Sequence, residues 1–224
     1  FDDLHLAMFG LCVVDECHHV PASTFNAVLR AIPARWRLGL SATPEQRDDG
    51  LGPLVGWSFG KKLITIMAQQ LIDMNYLVPA RVEAVSTKLD FTFKGHRSRR
   101  LEAMRKAIIA DDDRNTLICD LTIEEVRKEQ SVAVLSNDIK HCKLLQELCA
   151  SRGCHGEVIT SKVDKRLRKE LIARLIGGQL RLVFATSLLD EGIDIPRLSC
   201  VVQALPQSSR IKSAQKMGRI MRPY

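Results

Sequence analysis

Five short apolar runs recur along the chain, and each is followed by a polar side chain. The residues that follow them are Asp15 with Glu16, Ser41, Ser136, Thr186 and Gln203. Helical patterns lie between most of these runs, and strands that alternate with helices favour a parallel sheet with right-handed crossovers. Ligands of such sheets bind at the carboxyl ends of the strands. The sequence therefore predicts an α/β fold whose functional groups line one edge of each sheet.

The run Leu11–Val14 ends in two adjacent carboxylates, Asp15 and Glu16. A continuous apolar run of this length predicts a strand that is buried on both faces. Two charges at its end are costly unless a cation meets them, and a magnesium-bound phosphate would do so. We interpret Asp15 as the residue that holds the metal of a nucleoside triphosphate, and Glu16 as the base that activates water. The alternative is an ordinary solvated acidic turn.

A second strand, Arg35–Leu40, is followed by Ser41-Ala42-Thr43-Pro44. It would deliver hydroxyl groups to the edge where the first strand delivers carboxylates. An ordinary polar turn is the competing interpretation.

Further local patterns predict individual elements. Asp138 predicts the start of a helix that Gly153 ends, and Gly177-Gly178 predicts the end of a helix that begins near Asp164. The segment Arg81–Thr87, with Val82 and Val85 near its ends, predicts another strand.

The last segment of the chain places Gln215, Arg219 and Arg222 at positions i, i+4 and i+7 of a predicted helix. These spacings put the three side chains on one face, where two guanidinium groups could clamp a phosphoryl group. The alternative is a basic helix in solvent. Earlier, Gly192 permits close approach of the backbone to a ligand, and Asp194 could accept a hydrogen bond from a ribose hydroxyl.

Composition narrows the class of partner and the compartment. Lys and Arg outnumber Asp and Glu by 33 to 26, for a net charge of +7, which favours a polyanionic partner. Seven cysteines form no C-x-x-C pair, which suits a reducing, cytoplasmic compartment. No apolar run is long enough to predict a membrane helix. The basic segments Lys94–Lys106 and Lys162–Arg174 could contact a phosphate backbone or simply face solvent.

Four stretches together resemble superfamily 2 helicases. Val14-Asp15-Glu16-Cys17-His18 resembles motif II of that family, and Ser41-Ala42-Thr43 resembles motif III. The stretch from Ala185-Thr186 to Asp190–Pro196 resembles motif V, and Gln215–Arg222 resembles motif VI. The run Leu38–Pro44 followed by Arg47-Asp48-Asp49-Gly50 is similar to a narrower group. That group contains xeroderma pigmentosum group B-type repair helicases, phage DNA-remodelling helicases and helicase subunits of restriction enzymes.

The resemblance implies two tandem RecA-like domains, residues 1–92 and 93–224, with ATP and Mg²⁺ bound between them. It implies DNA rather than RNA as the partner, and no membrane. The residues expected to act on the nucleotide or its metal are Asp15, Glu16, His18, Gly192, Asp194, Gln215, Arg219 and Arg222. Residues expected to contact nucleic acid or to couple hydrolysis to domain movement are His18, Ser41, Thr43, Arg47, Ser136 and Thr186.

One departure from the family pattern concerns the phosphate-binding loop. No G-x-x-x-x-G-K-[ST] motif is present, and the similar run Gly56–Lys62 is one residue short and lies after motif II. The family places that loop before motif II, so we expect this sequence to be a fragment whose first domain is truncated on its N-terminal side. Exposed sheet surface in such a domain predicts self-association. The alternative function is a non-catalytic module that binds nucleic acid or docks a partner.

The missing loop predicts that the purified chain hydrolyses little ATP by itself, because no group cradles the α- and β-phosphates. Steady-state phosphate release measures this directly. Robust turnover that disappears in Glu16→Gln would contradict the prediction, whereas turnover that survives this substitution would indicate a contaminating ATPase.

Overall fold

A computed structural model describes residues 6, 8–42, 50–93, 95–96, 99–186, 195 and 197–206. The chain forms two compact units, of which the first runs to Leu71 and the second begins at Ile72. The domain boundary predicted between residues 92 and 93 lies further along the chain. It falls between a helix that ends at Asp73 and a helix that begins at Arg100.

The first unit is built on two parallel strands. Strand β1 (Leu11–Val14) pairs with β2 (Trp36–Gly39) in a register that matches Leu11 with Trp36 and Val14 with Gly39. A 3-10 helix (Cys17–His19) and helix α1 (Ser23–Ala31) connect them. Helix α2 (Pro53–Phe59) follows β2, and helix α3 (Ala68–Asp73) spans the residues where the first unit ends and the second begins.

The expectation that β1 is buried on both faces was wrong. Leu11 and Val13 remain 54% and 51% exposed, and Trp36 beside them on β2 remains 63% exposed. Side chains alternate between the two faces of a strand, and only the face of Cys12 and Val14 is partly covered in the described part of this unit. The open face is the apolar surface that the predicted self-association would use.

The second unit contains a four-stranded parallel sheet in the order β4-β5-β3-β6. The strands are β3 (Val132–Leu135), β4 (Glu157–Ile159), β5 (Leu182–Ala185) and β6 (Cys200–Gln203). The helices are α4 (Arg100–Ile109), α5 (Asp112–Arg127), α6 (Ile139–Ser151) and α7 (Lys165–Ile176). This arrangement confirms the predicted α/β class with parallel sheets.

Helices cover both faces of this sheet. Val132, Val134 and Phe184 pack with residues of α5 and α6 on one face. Ala133, Leu135 and Val183 pack with residues of α7 on the other. Every residue of β3 and β5 is buried, as expected for central strands of a parallel sheet.

Helix boundaries in the second unit follow the predicted signals. The side chains of Asp111, Asp138 and Asp164 accept hydrogen bonds from backbone amides in the first turns of α5, α6 and α7. Gly153 and Gly178, just beyond α6 and α7, have φ of 79° and 75°, which a side chain would strain. The predicted strand Arg81–Thr87 is wrong. These residues form no strand, and Val82 is largely exposed.

None of the helices in the described part of the chain is both long enough and apolar enough to cross a membrane.

A buried histidine predicts how the stability of the second unit depends on pH. Burial, together with the nearby charge of Arg114, lowers the pKa of His141 from its ordinary 6.5 to about 4. The unfolded chain therefore takes up this proton near pH 6.5, while the folded chain resists it until about pH 4. Stability should be complete above pH 6.5 and should fall by about 3 kcal/mol as the pH drops through this window.

Urea unfolding of the wild type and of His141→Gln, between pH 8 and pH 4, measures this contribution. His141→Gln should lose it, whereas His155→Gln, which replaces an exposed ring, should keep the wild-type dependence. Equal pH dependence in the wild type and His141→Gln would contradict the assignment.

Candidate functional site

The acidic turn after β1 holds its backbone in an uncommon conformation. Glu16 has φ 49° and ψ 44°, in the left-handed region that glycine usually occupies. Two hydrogen bonds fix the turn. The amide of Glu16 donates to Oδ1 of Asp15 over 2.8 Å, and the amide of Cys17 donates to the carbonyl of Leu40 over 2.9 Å. The surrounding structure thus maintains a local strain of about 1–2 kcal/mol, as is common at functional sites.

A buried imidazole joins the ends of the two strands. His18 is 2% exposed, and its Nδ1 lies 3.0 Å from Oγ of Ser41. The same nitrogen lies 3.2 Å from Oε2 of Glu16. The structure therefore brings together three residues that the sequence singled out, Glu16 and His18 of the first motif and Ser41 of the second.

Cys17 and Gly39 pack beneath this turn, and the sequence reading gave neither a role. The Cys17 side chain is buried, and burial raises the pKa of its thiol, so it is neither a ready nucleophile nor a ready metal ligand. A Cβ on Gly39 would lie 2.9 Å from Sγ of Cys17 and 3.0 Å from the ring of Phe59. A glycine inside a short strand was the available signal, since it often marks such close approach.

The second unit places its predicted residues at one sheet edge. Ser136 follows β3 and Thr186 follows β5, which are neighbouring strands. The amide of Ser136 donates to the carbonyl of Ala185 over 3.0 Å. Ser136 itself is only 1% exposed, and its Oγ lies 3.0 Å from Nδ1 of His141. Asn137 is the exposed side chain of this turn, and it was not among the predicted site residues.

The remaining predicted site residues lie outside the described part of the chain. They are Thr43, Arg47, Gly192, Asp194, Gln215, Arg219 and Arg222.

Two protein families match separate parts of the sequence. The family of the helicase conserved C-terminal domain matches residues 113–224, half of the chain. The family of the type III restriction enzyme res subunit matches residues 2–46, which include the acidic turn and Ser41.

Relatives align with nearly the whole chain. A protein of Sulfolobus islandicus filamentous virus that is described as a helicase is 30% identical over 95% of this chain and 40% of its own length. The DNA 3'-5' translocase XPB2 of Sulfurisphaera tokodaii is 24% identical over 96% of this chain and 56% of its own length. The chain therefore spans about half the length of these relatives or less.

Solved structures share the fold. A restriction-enzyme fragment from Vibrio vulnificus, described as an HsdR subunit, superposes with a TM-score of 0.73. It is 23% identical, and the match covers 98% of this chain and 41% of the fragment. The helicase domain of Pyrococcus furiosus Hef superposes with a TM-score of 0.56 at 17% identity, covering 96% of this chain and 69% of that domain.

The packing under the acidic turn predicts opposite effects for two glycine substitutions. Gly39→Ala should destabilise the first unit by about 1–3 kcal/mol, because its methyl group would displace Cys17 or Phe59. Gly56→Ala in α2 has open space around the new methyl group, and should be neutral or stabilising by up to about 1 kcal/mol.

Tryptophan fluorescence during urea unfolding reports on this unit selectively, because both tryptophans of the chain, Trp36 and Trp57, belong to it. An unfolding midpoint for Gly39→Ala that equals or exceeds that of Gly56→Ala would contradict the prediction, because it would show that a methyl group fits beside Cys17 and Phe59.

Proposed function

Because the chain belongs to the family of the helicase conserved C-terminal domain, we propose that it forms part of an ATP-dependent DNA helicase or translocase. In this proposal ATP hydrolysis drives movement along nucleic acid. The observation that carries the proposal is the contact of one buried imidazole nitrogen with both Glu16 and Ser41. A glutamate that only ends a strand needs no contact with the neighbouring strand. A catalytic base whose position depends on the segment after β2 needs one, and His18 provides it.

Glu16 is the general base of the proposed reaction. It would take a proton from the water that attacks the terminal phosphate. A strained turn fixes its backbone at the strand end, and Nδ1 of His18 lies 3.2 Å from its Oε2. A side chain that is 44% exposed can still reach water. His18 and Ser41 would transmit a change at this carboxylate to the residues that follow β2.

Asp15 fits the requirements of a nucleotide-bound magnesium ion. Its side chain is exposed, and one of its oxygens accepts from the amide of Glu16. Mg²⁺ in nucleotide sites needs only one or two carboxylates, since phosphate and water supply its other ligands. Within the described residues no three His, Cys, Asp or Glu side chains cluster as a metal site, which is compatible with an ion that arrives with ATP. The bound ion would neutralise phosphate charge.

The proposed nucleotide contacts include residues near the end of the chain. Gln215, Arg219 and Arg222 would bind the γ-phosphate, a proposal that their helical spacing supports. Gly192 and Asp194 would contact the nucleotide, while Thr43 and Arg47 would act in coupling. In this proposal residues 1–92 and 93–224 are the two RecA-like domains.

The proposed polyanionic partner is DNA, bound in part at the edge of the second sheet. A net charge of +7 supports a nucleic-acid partner. Thr186 and Asn137 lie at the carboxyl ends of adjacent strands, where neutral hydrogen-bonding groups could contact the sugar–phosphate backbone. The preference for DNA over RNA rests on the similarity to XPB2, whose name states that it is a DNA translocase.

A second candidate function is a non-catalytic nucleic-acid-binding module. An open groove of about 650 Å³ favours it, because Phe93, His96, Arg99 and Lys106 line this groove. Aromatic and cationic groups together suit single-stranded nucleic acid. Such a module would have no need of the acidic pair or of the arginine pair, so substitutions at those residues discriminate between the two functions.

We expect Glu16→Gln to lower nucleic-acid-stimulated ATP hydrolysis by the full-length protein about 10²–10⁴-fold, because the amide cannot accept the proton of water. Arg222→Ala should lower it about 10³–10⁵-fold if this guanidinium stabilises the transition state. Glu147→Gln, which removes an exposed carboxylate on α6, is the matched control and should keep wild-type turnover. Unchanged hydrolysis in Glu16→Gln and Arg222→Ala would overturn these two assignments, whereas a full-length protein that binds nucleic acid without hydrolysing ATP would favour the binding module.

A further inference from the structure

A continuous chain of hydrogen bonds crosses the core of the second unit. Asn115 Nδ2 lies 2.8 Å from the carbonyl of Ile109, and Asn115 Oδ1 lies 2.9 Å from Nε2 of His141. Nδ1 of His141 lies 3.0 Å from Oγ of Ser136, and the amide of Asp138 lies 3.2 Å from the same Oγ. We call these five residues, Ile109, Asn115, His141, Ser136 and Asp138, the relay. It joins the end of α4 to the turn after β3.

The chemistry of its two ends, together with the neutral form of the buried imidazole, sets the direction of each bond. The Ile109 carbonyl can only accept, so the Asn115 amide nitrogen donates to it and Oδ1 faces His141. Nε2 of His141 must then carry a proton and donate. Burial lowers the pKa of His141 to about 4, so the ring is neutral near pH 7 and its Nδ1 accepts from the Ser136 hydroxyl. The amide of Asp138 can only donate, and Ser136 Oγ accepts it.

The relay is costly to place in a core. Ser136, His141 and Asn115 are each 1% exposed or less, and the surrounding positions are filled by Leu, Ile, Val and Cys. Buried polar groups cost free energy unless every member is satisfied, and apolar residues would stabilise such a core more simply. What the relay provides is a defined geometry for the Ser136–Asp138 turn. Asp138 also accepts from the amide of His141, which ties the turn to the start of α6.

We propose that His141 and Asn115 are positioning residues that fix this turn and so present Asn137 to the sugar–phosphate backbone of bound nucleic acid. The proposal rests on the proposed function, because it assumes that the edge carrying Thr186 and Asn137 binds nucleic acid. Asn137 is the exposed residue between two members of the relay, and the Ser136 amide is held to β5 by the Ala185 carbonyl. The relay therefore leaves this turn little freedom.

A double-mutant cycle tests whether the relay acts through Asn137. Fluorescence anisotropy with a labelled oligo(dT) strand gives the dissociation constant of the 224-residue chain and its variants. Asn137→Ala should weaken binding about fivefold, the loss expected for one hydrogen bond. Asn115→Ala, far from any ligand contact, should weaken it to a similar degree. The double variant should lose no more than Asn137→Ala alone, whereas independent, multiplicative losses would overturn the proposal.

Thr122→Val is the matched control for Asn115→Ala. Thr122 is equally buried on the same helix, and its hydroxyl donates only to the carbonyl of Ile118 within that helix. It should lower stability without changing affinity for oligo(dT). An equal loss of affinity in Thr122→Val would mean that the effect is general destabilisation, and would overturn the proposal.

Hydrogen exchange tests the positioning step without nucleic acid. The Asp138 amide should exchange about tenfold faster in Asn115→Ala than in Thr122→Val, because its acceptor Ser136 has lost its anchor. Equal exchange would overturn the positioning role whatever the binding data show. A different outcome is that the wild-type chain does not bind oligo(dT) while the Asp138 amide still exchanges faster in Asn115→Ala. This outcome would overturn the proposed function and the contact of Asn137 with nucleic acid, but the relay would remain the determinant of the turn.

Discussion

Parallel pairing in register is the constraint from which both candidate sites follow. Val14 pairs with Gly39 at the ends of β1 and β2, so the next residues of both strands, Asp15 and Leu40, emerge at one edge. In the second unit Leu135 pairs with Ala185, and Ser136 and Thr186 emerge together in the same way. An antiparallel arrangement would send these polar groups to opposite edges. Parallel strand direction alone therefore places these polar residues at the same edge, whatever contacts their side chains make.

The two units use the same device behind these edges. In each, a serine that closely follows a strand lies 3.0 Å from Nδ1 of a buried histidine. The second partner of each imidazole differs, since Glu16 lies at Nδ1 of His18 and Asn115 lies at Nε2 of His141. Glu16 approaches His18 with a carboxylate that is partly exposed, whereas His141 meets the buried amide of Asn115. The first histidine is thus connected to a group that can face a ligand, and the second only to the interior. This difference suits one site for chemistry and the other for holding a shape.

Sequence patterns predicted the features that depend on residues close together in the chain. Alternating strands and helices predicted the α/β class, aspartates predicted helix starts, and the acidic pair marked the first site. Sequence patterns did not predict the features that depend on contacts between residues far apart in the chain. Val82 and Val85 resemble strand residues, but no strand of the described chain pairs with them. Asn115 and His141 are 26 residues apart, and no spacing rule connects them. Burial of β1 could not be predicted either, because it depends on what covers the sheet rather than on the strand.

The strain at Glu16 has a structural consequence for coupling. A left-handed residue persists only while its neighbours hold it, and here a principal restraint is the bond from the Cys17 amide to the Leu40 carbonyl. Leu40 immediately precedes Ser41, which contacts His18. A displacement of the segment after β2 would therefore act on the acidic turn twice, once through the backbone and once through the imidazole. A Cβ on Gly39 would meet Cys17 and Phe59 within about 3 Å, so the end of β2 also packs closely beneath the turn.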